Sequence, residues 1–252
     1  DWSSDVCSSD LLREQELRLR EIANASSEAF CLTNLKRSEL HYASPAHARI
    51  FGMSNEELIA SGRRWIDFVH EEDLPAVQAG LLRGHRLARE AIKSVRPDLP
   101  VGVSLAVVDD QAVGNPARRD ARRAFLYGEW LEAAKADDFV GVQNYERSRT
   151  GPDGPLPPPE GSLRNWSGAE VYAPSLGNAV RYVHAATGRP IVVTEHGVGT
   201  PDDALRATFI PEALAGLAAA MADGVPVGGY LHWSLLDNFE WVFGYRPTFG
   251  LF

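Results

Sequence analysis

The sequence predicts an α/β protein in which buried parallel strands alternate with helices. Residues 190–195 (PIVVTE) form a short β-branched apolar run that ends on a carboxylate, which is typical of a parallel strand buried on both faces. Residues 228–241 (GGYLHWSLLDNFEW) repeat this arrangement, with an apolar run that opens into polar and aromatic residues. Residues 204–224 between them have helical spacing and end at a glycine. Strand, helix and strand with polar carboxyl ends indicate the active face of a (β/α)8 barrel.

The same region carries a family resemblance. TEHG (194–197) resembles the TENG nucleophile motif of family 1 glycoside hydrolases, the β-glucosidase family. WSLLDNFEW (233–241) and GYRPTFGL (244–251) resemble the closing signature of that family almost letter for letter. The resemblance extends over residues 81–252, and it implies the C-terminal half of the barrel, strands five to eight.

The elements of this half are predicted in the order that a barrel requires. The predicted segments are strand five (100–107), a loop and helix (118–136), strand six (138–145), a Gly/Pro-rich loop (151–161), a helix (174–187), strand seven (190–195), a helix (204–224) and strand eight (229–234). These are four of eight strand–helix units. Residues 81–252 number 172, whereas a complete barrel takes about 250 residues, so we expect an incomplete barrel.

The N-terminal third predicts a different fold. Residues 1–11 have no periodicity and resemble translated sequencing-adapter sequence, with a disordered polar terminus as the alternative. Residues 12–80 predict a helix, two strands (30–35 and 40–46) and short helical pieces. Their segments YASPAHARIFGMSNEEL and FVHEEDLPAVQAGL resemble the first half of a PAS sensor domain. The long strands that complete a PAS sheet do not follow, so we expect an incomplete α+β segment.

The two resemblances meet near residues 80–84, inside a stretch with continuous helical spacing. A linker between two natural domains is ordinarily polar or rich in Pro and Gly. We therefore interpret the join as a splice of unrelated sequences, in assembly or in the genome. The predicted organisation is an adapter-like or disordered stretch (1–11), a partial PAS-like segment (12–80) and half a barrel (81–252).

Composition excludes several classes of protein. A net charge of −9 argues against nucleic acid as a main partner, because phosphates require a basic surface. No apolar run approaches 18 residues, which predicts no membrane span. The two cysteines, Cys7 and Cys31, do not make a disulfide framework or a metal site by spacing, and they favour a reducing cytoplasm.

Three residues are candidates for the chemistry. A retaining glycosidase needs two carboxyl groups, one as nucleophile and one as acid/base. Glu195 matches the family nucleophile at the tip of strand seven. The resemblance implies that Tyr145, at the end of strand six, donates its hydroxyl to that nucleophile, and it places Gln143 at the substrate. His196 replaces the family Asn, and we expect it to be structural.

Aromatic residues near the C-terminus are candidates for sugar binding. The resemblance implies that Trp233 and Trp241 stack on a pyranose, that Glu240 accepts hydrogen bonds from two sugar hydroxyls, and that Phe249 lines the same subsite. The acidic pairs 109–110, 137–138 and 202–203 suggest solvated loops and helix starts, and they lack the convergence of a metal site. We expect no cofactor and no metal.

The family acid/base lies in an Asn-Glu-Pro triplet after strand four, and this triplet does not occur in the sequence. We therefore expect a retaining β-glycosidase that acts on β-glycosides or oligosaccharides through Glu195 but hydrolyses little as this chain. Two alternatives stay open: a PAS-containing sensory protein with a degenerate barrel, and a sugar-binding protein without turnover. The oligomeric state is left undetermined by the sequence.

Overall fold

The computed structural model describes residues 17, 21–26, 31–33, 40–52, 57, 72–240 and 243–252. It contains two compact units: residues 1–76 with 240–244, and residues 77–239 with 245–252. The adapter-like stretch 1–11 lies outside the described residues. The predicted domain boundaries stay predictions.

The N-terminal unit contains a strand pair and a short helix. Strands β1 (Cys31–Thr33) and β2 (Leu40–Ala43) pair antiparallel, with Cys31 opposite Ala43. Helix α1 (Pro45–Phe51) follows β2 directly. The predicted strand over 40–46 therefore ends three residues early, because Pro45 has the fixed φ that suits the first turn of a helix. The two-stranded order agrees with the sequence prediction for the described residues.

Helix α2 (Leu74–Val95) crosses the predicted join without a break, as the helical spacing there indicated. Side chains on one face of this helix make polar contacts with Asp137 and Asp138, which precede strand β5 (Val140–Asn144). His85 Nε2 lies 3.0 Å from Asp137 Oδ2, and Lys93 Nζ lies 2.7 Å from Asp138 Oδ2. Arg89 Nε lies 3.4 Å from Asp137 Oδ1. The spacing of four residues places His85, Arg89 and Lys93 on the same side of the helix.

The second unit is built on a four-stranded parallel sheet. Its strand order is β3 (Ser104–Ala106), β5 (Val140–Asn144), β8 (Ile191–His196) and β9 (Val227–Tyr230). These are the predicted strands five to eight, in sequence order and all parallel. Strands β3 and β9 are shorter than expected. After β9, Leu231 N still donates to Val193 O at 2.9 Å, so the chain continues beside β8.

Three helices cover one face of this sheet. They are α3 (Ala117–Ala134), α4 (Ser175–Thr187) and α5 (Asp203–Ala222). The strand residues Val140, Val142, Ile191 and Val193 are fully buried, and they form one core with residues of the helices: Leu131, Leu176, Val180, Val183, Phe209 and Leu217. Burial of these side chains on one face only leaves the other face of the sheet open, as in a sector of a barrel.

A second, smaller sheet occupies segments that the sequence analysis took for loops. Strand β4 (Asp109–Ala112) pairs parallel with β6 (Arg147–Gly151), and β6 pairs antiparallel with β7 (Gly154–Leu156). The prediction of a Gly/Pro-rich loop at 151–161 was therefore wrong in part, and the pair 109–110, expected in a solvated loop or helix start, lies in β4. These strands are rich in charged residues and glycine, so they lack the apolar pattern by which strands are recognised.

Two of the acidic pairs expected to be solvated contain buried carboxylates instead. Asp110 is 1% exposed and accepts a 2.8 Å hydrogen bond from Arg122 Nε. Asp137 is also 1% exposed, and its Oδ2 accepts from Val103 N at 3.0 Å besides its contacts with α2. Arg89 and Val103 N compensate the loss of water at Asp137. Arg122 does so at Asp110 Oδ1, whereas Asp110 Oδ2 has no hydrogen-bond partner in the described structure. Asp202 does match the expectation of a helix start, since it caps α5 by accepting from Ala204 N at 2.9 Å.

Helix α5 is the one helix in the described part of the chain that is long and apolar enough to cross a membrane by length and composition. It has 20 residues and an 18-residue window with a mean hydropathy of 1.2. The core helix of a soluble protein meets the same criterion. One side of α5 is buried against the sheet and α4, through Arg206, Phe209, Ala213, Leu217 and Ala220.

Candidate active site

Glu195 lies at the carboxyl end of β8, the position that the sequence analysis gave it. Strand β8 has neighbours on both sides, β5 and β9. The preceding residues Ile191 and Val193 point into the helix-covered core, and Glu195 is half-buried. A carboxylate at this edge of a parallel sheet lies where barrel enzymes place their reacting groups.

Both oxygens of the Glu195 carboxylate accept a hydrogen bond. Tyr145 OH donates to Oε2 at 2.7 Å. Gln143 Nε2 donates to Oε1 at 3.0 Å. The predicted contact between Tyr145 and Glu195 is present in the structure, and Gln143 contacts the same carboxylate.

Other aromatic rings lie next to Tyr145. The Tyr145 and Phe249 rings form an edge-to-face pair with centroids 5.8 Å apart. The backbone at Gly199 passes beside the same group: a Cβ there would lie 3.0 Å from Phe249 Cζ and 2.2 Å from Trp166 Cδ1. Only glycine fits this close approach. Phe249 therefore lies beside Tyr145, which contacts Glu195. Trp166, from a separate loop, lies at the same glycine as Phe249.

Trp166 was not recognised in the sequence, because it stands in the Gly/Pro-rich region 151–170 with no motif around it. Its backbone N donates to Gly199 O at 2.9 Å, which attaches this loop to the end of β8. A buried ion pair holds the loop from the other side: Arg147 Nη2 lies 2.7 Å from Glu170 Oε1. The guanidinium of Arg147 also stacks on Tyr172, 3.6 Å from the ring centroid.

A cavity of about 250 Å³ lies beside this ion pair. It is lined by Val108, Arg122, Glu146, Arg147, Ser148, Arg149, Leu156, Pro158, Ala169 and Glu170. Burial raises the pKa of Glu146, and no other cause contributes. The sequence analysis made no prediction for this cavity.

Trp233 lies three residues after the end of β9, beside the end of β8. Its backbone N donates to His196 O at 2.8 Å, and a cis peptide bond joins it to Ser234. A Cβ on Gly197 would lie 2.0 Å from Trp233 O, so glycine is required in the TEHG segment for this approach. Trp233 is thus held at the same edge of the sheet as Glu195, as predicted.

The remaining two sugar-binding candidates are not tested by this geometry. Trp241 lies outside the described residues. Glu240 lies in the N-terminal compact unit, where its backbone N donates to Gly244 O at 2.8 Å. Their roles stay predictions, as do the roles assigned to the other site residues.

His196 faces the core and not the site. Its ring stacks on Phe209 with centroids 5.2 Å apart, and its Nδ1 lies 2.9 Å from Tyr230 OH. The same hydroxyl lies 3.0 Å from His232 Nδ1. Burial, and secondarily the neighbouring His232, lower the pKa of His196 to about 3. This packing agrees with the structural role expected for His196.

No group of three or more His, Cys, Asp or Glu side chains that could hold a metal ion occurs in the described ranges.

The comparisons with known proteins define the class. Residues 158–252 match the model of glycosyl hydrolase family 1, and residues 40–83 match a PAS fold model. The chain is therefore related to family 1 glycoside hydrolases through its C-terminal part and to PAS domains through an N-terminal segment. Both resemblances seen in the sequence are confirmed.

Two of the relatives are a β-glucosidase and a β-galactosidase. A β-glucosidase of Agrobacterium sp. is 28% identical over 218 residues, covering 66% of this chain and 48% of the relative. A β-galactosidase of Pyrococcus woesei is 39% identical over 85 residues, covering 34% and 16%. Among solved structures, the β-glycosidase BGL167 superposes with a TM-score of 0.69 and 41% identity, covering 82% of this chain and 48% of that one.

A second solved structure supports the same fold. The β-glycosidase of Thermosphaera aggregans superposes with a TM-score of 0.66 and 27% identity, covering 72% of this chain and 44% of that one. The chain thus spans about half the length, or less, of the proteins it matches. The four parallel strands are part of a (β/α)8 barrel, and the fold class predicted from the sequence is confirmed.

Proposed function

We propose that this chain carries the nucleophile side of a retaining β-glycosidase site, with Glu195 as the nucleophile. The observation that supports the proposal most directly is the Glu195 carboxylate at the carboxyl end of β8, with Tyr145 and Gln143 donating to its two oxygens. The substrate class is a β-glycoside or oligosaccharide. The proposed reaction uses no cofactor, and the proposed location is the cytoplasm.

The first chemical step needs a carboxylate and a leaving group. A Glu195 oxygen attacks the anomeric carbon, the bond from that carbon to the leaving oxygen breaks, and the electron pair departs with the leaving group. A sugar or alkyl alkoxide is a poor leaving group unless an acid protonates it. Water then attacks the anomeric carbon of the glycosyl-enzyme, the bond from that carbon to Glu195 breaks, and the proton of the water passes to solvent, which releases the sugar with retention of configuration and regenerates the Glu195 carboxylate.

The proton donor is the part of the mechanism that the sequence lacks. The Asn-Glu-Pro triplet of the family does not occur in the 252 residues. We therefore propose that the chain by itself hydrolyses ordinary alkyl glycosides slowly, while a glycoside whose leaving group needs no proton still reacts with Glu195. General acid catalysis is typically worth about 10²–10⁴ in rate.

The experiment is covalent trapping. Incubation with 2,4-dinitrophenyl 2-deoxy-2-fluoro-β-D-glucopyranoside should add one fluoroglucosyl group, measured by intact mass and mapped to the peptide that contains Glu195. The Glu195→Gln variant should take up no label. A wild-type chain that stays unlabelled at high probe concentration, or a label on another residue, would contradict the proposal.

A second candidate function is supported by the PAS fold match at residues 40–83. In this alternative, a sensory protein uses the barrel segment to bind a sugar without turnover. Equilibrium binding of glucose, measured by calorimetry, separates the two. Binding without labelling of Glu195 favours the sensory or sugar-binding alternative, whereas labelling favours the hydrolase.

A further inference from the structure

Gln143 has a relation to Glu195 that neither the motif resemblance nor the comparisons assign. In the sheet, Gln143 of β5 pairs with Glu195 of the parallel strand β8, at a point where the register shifts by one residue on β8. The closeness of the two side chains is shown by the hydrogen bond between them. The side chain of Gln143 makes one hydrogen bond within the described ranges, and this bond goes to Glu195 Oε1.

The two donors to Glu195 come from one segment. Gln143 and Tyr145 are two residues apart, and side chains with this spacing in an extended chain point to the same side. Their donor atoms contact different oxygens of the carboxylate, at 3.0 Å and 2.7 Å. One donor alone would leave the carboxylate free to rotate about its terminal bond, whereas two donors determine the plane of the group.

Both donors are neutral. No ion pair with Glu195 occurs in the described part of the chain, so the carboxylate is held by an amide and a phenol. Such bonds to an ionised acceptor are stronger than bonds between neutral groups. A neutral pair can orient the oxygens while leaving their negative charge available for attack.

We propose that Gln143 is a positioning residue that sets the orientation of the Glu195 carboxylate, and that it acts together with Tyr145. This inference rests on the proposed function of Glu195. It differs from the expectation that Gln143 contacts the substrate, because it places the effect of the amide on the nucleophile and not on affinity for the sugar.

The test compares substitutions at one position. Gln143→Leu removes the donor with little change in size, and Gln143→Asn keeps an amide on a shorter side chain. Gln78→Leu is the matched control, because it makes the same chemical change on helix α2, at a side chain that makes no hydrogen bond or ion pair in the described structure. Circular dichroism of all variants checks that the fold is retained.

The first readout is the rate of trapping by the dinitrophenyl fluoroglucoside. Gln143→Leu should lower the maximal trapping rate about 10- to 100-fold, the loss expected for one hydrogen bond to a charged group. The probe concentration at half-maximal rate should stay within about twofold, and Gln143→Asn should recover part of the rate. A change in half-saturation with an unchanged maximal rate would overturn the inference in favour of a substrate contact.

The second readout does not depend on glycosidase chemistry. Coupling of glycine ethyl ester to carboxyl groups with a water-soluble carbodiimide, followed by peptide mapping, reports how available Glu195 is. Gln143→Leu should raise modification at Glu195 about tenfold over wild type, and Gln78→Leu should not. Equal modification in wild type and Gln143→Leu would overturn the inference. A difference here without fluoroglucoside labelling of wild type would sustain the positioning contact and reject the proposed function.

Discussion

His196 and Glu195 are adjacent residues with opposite surroundings. Glu195 is half-buried at the open edge of the sheet, whereas His196 is fully buried against Phe209. The register of β8 shifts by one residue between Val193 and Glu195, so Glu195 does not continue the core-facing row of Ile191 and Val193. The Nε2 atoms of His196 and His232 are buried and have no hydrogen-bond partner in the described structure. A second proton, which would make either imidazole ring cationic, would therefore be poorly stabilised in the folded state.

The pH dependence of stability follows from His196. Its folded pKa is about 3 against an ordinary value of 6.5, so the unfolded chain binds one more proton between these values. The contribution of neutral His196 to the free energy of unfolding is fully present above about pH 6.5. It is lost as the pH falls, by about 1.4 kcal/mol per pH unit. Urea unfolding at pH 5 and pH 7.5 measures the difference.

A matched pair of variants isolates this group. His196→Asn should reduce the difference between the two pH values, although burial of His232 lowers the pKa of that ring as well and leaves a residual dependence. Tyr230→Phe removes the hydroxyl that contacts both rings and should keep the full pH dependence. An unchanged pH dependence in His196→Asn would contradict the assignment.

At the level of the element, helix α2 depends on Asp137. The carboxylate is 1% exposed and contacts His85 and Arg89 of the helix as well as Val103 N of the strand region. Removing one partner of a buried ion pair leaves the others uncompensated. The helix has a mostly exposed surface, with Leu82 as its one buried apolar residue in the described structure, so this polar contact provides much of its attachment.

Asp137→Asn should therefore lower the free energy of unfolding by about 3 kcal/mol, within the range for breaking a buried pair. Thermal or urea unfolding followed by circular dichroism measures the loss. Asp138→Asn is the matched control, because its carboxylate pairs with Lys93 at a more exposed position. Similar losses for both variants would show that the burial of Asp137 is not the reason for the lower free energy of unfolding.

The sequence predicted the parallel strands better than the polar contacts between elements. Strand eight was predicted to begin at residue 229, two residues later than the observed start at Val227. Residues 225–234 form one apolar and aromatic run, so the bounds of the strand are determined by its pairing with β8 and not by its composition. Asp110 and Asp137 were predicted to be solvated because their partners Arg122 and His85 lie 12 and 52 residues away along the chain. Glu195 and Tyr145 could be found from motifs, whereas Trp166 stands in a loop without one.

At the level of the whole molecule, the four-stranded sheet has two edges. Strands β3 and β9 each have one neighbour, and no strand of the described ranges pairs with their outer sides. Unpaired backbone groups at such an edge are a ready template for another chain. Several apolar side chains at the carboxyl end are also exposed, including Leu231, Leu235, Leu236, Phe239 and Phe252.

We therefore expect the purified chain to self-associate or to be poorly soluble. Light scattering coupled to size exclusion should give a mass above 27.6 kDa, and the apparent mass should rise with concentration. A monomer that melts cooperatively at all concentrations would contradict this expectation. Replacement of Leu235 and Leu236 by Lys should reduce the association if the exposed apolar surface contributes to it.

The change of surroundings along β8 has a consequence for engineering the protein. Residue 196 packs against the helix layer, and residue 195 lies at the open edge of the sheet. The first position is therefore constrained by core packing and the second by its hydrogen-bond donors, although they are neighbours in the chain. A library of substitutions at 196 can be screened for thermal tolerance alone, with the chemistry at 195 used only as a final check. Stability can thus be engineered at residue 196 separately from the proposed reactivity at residue 195.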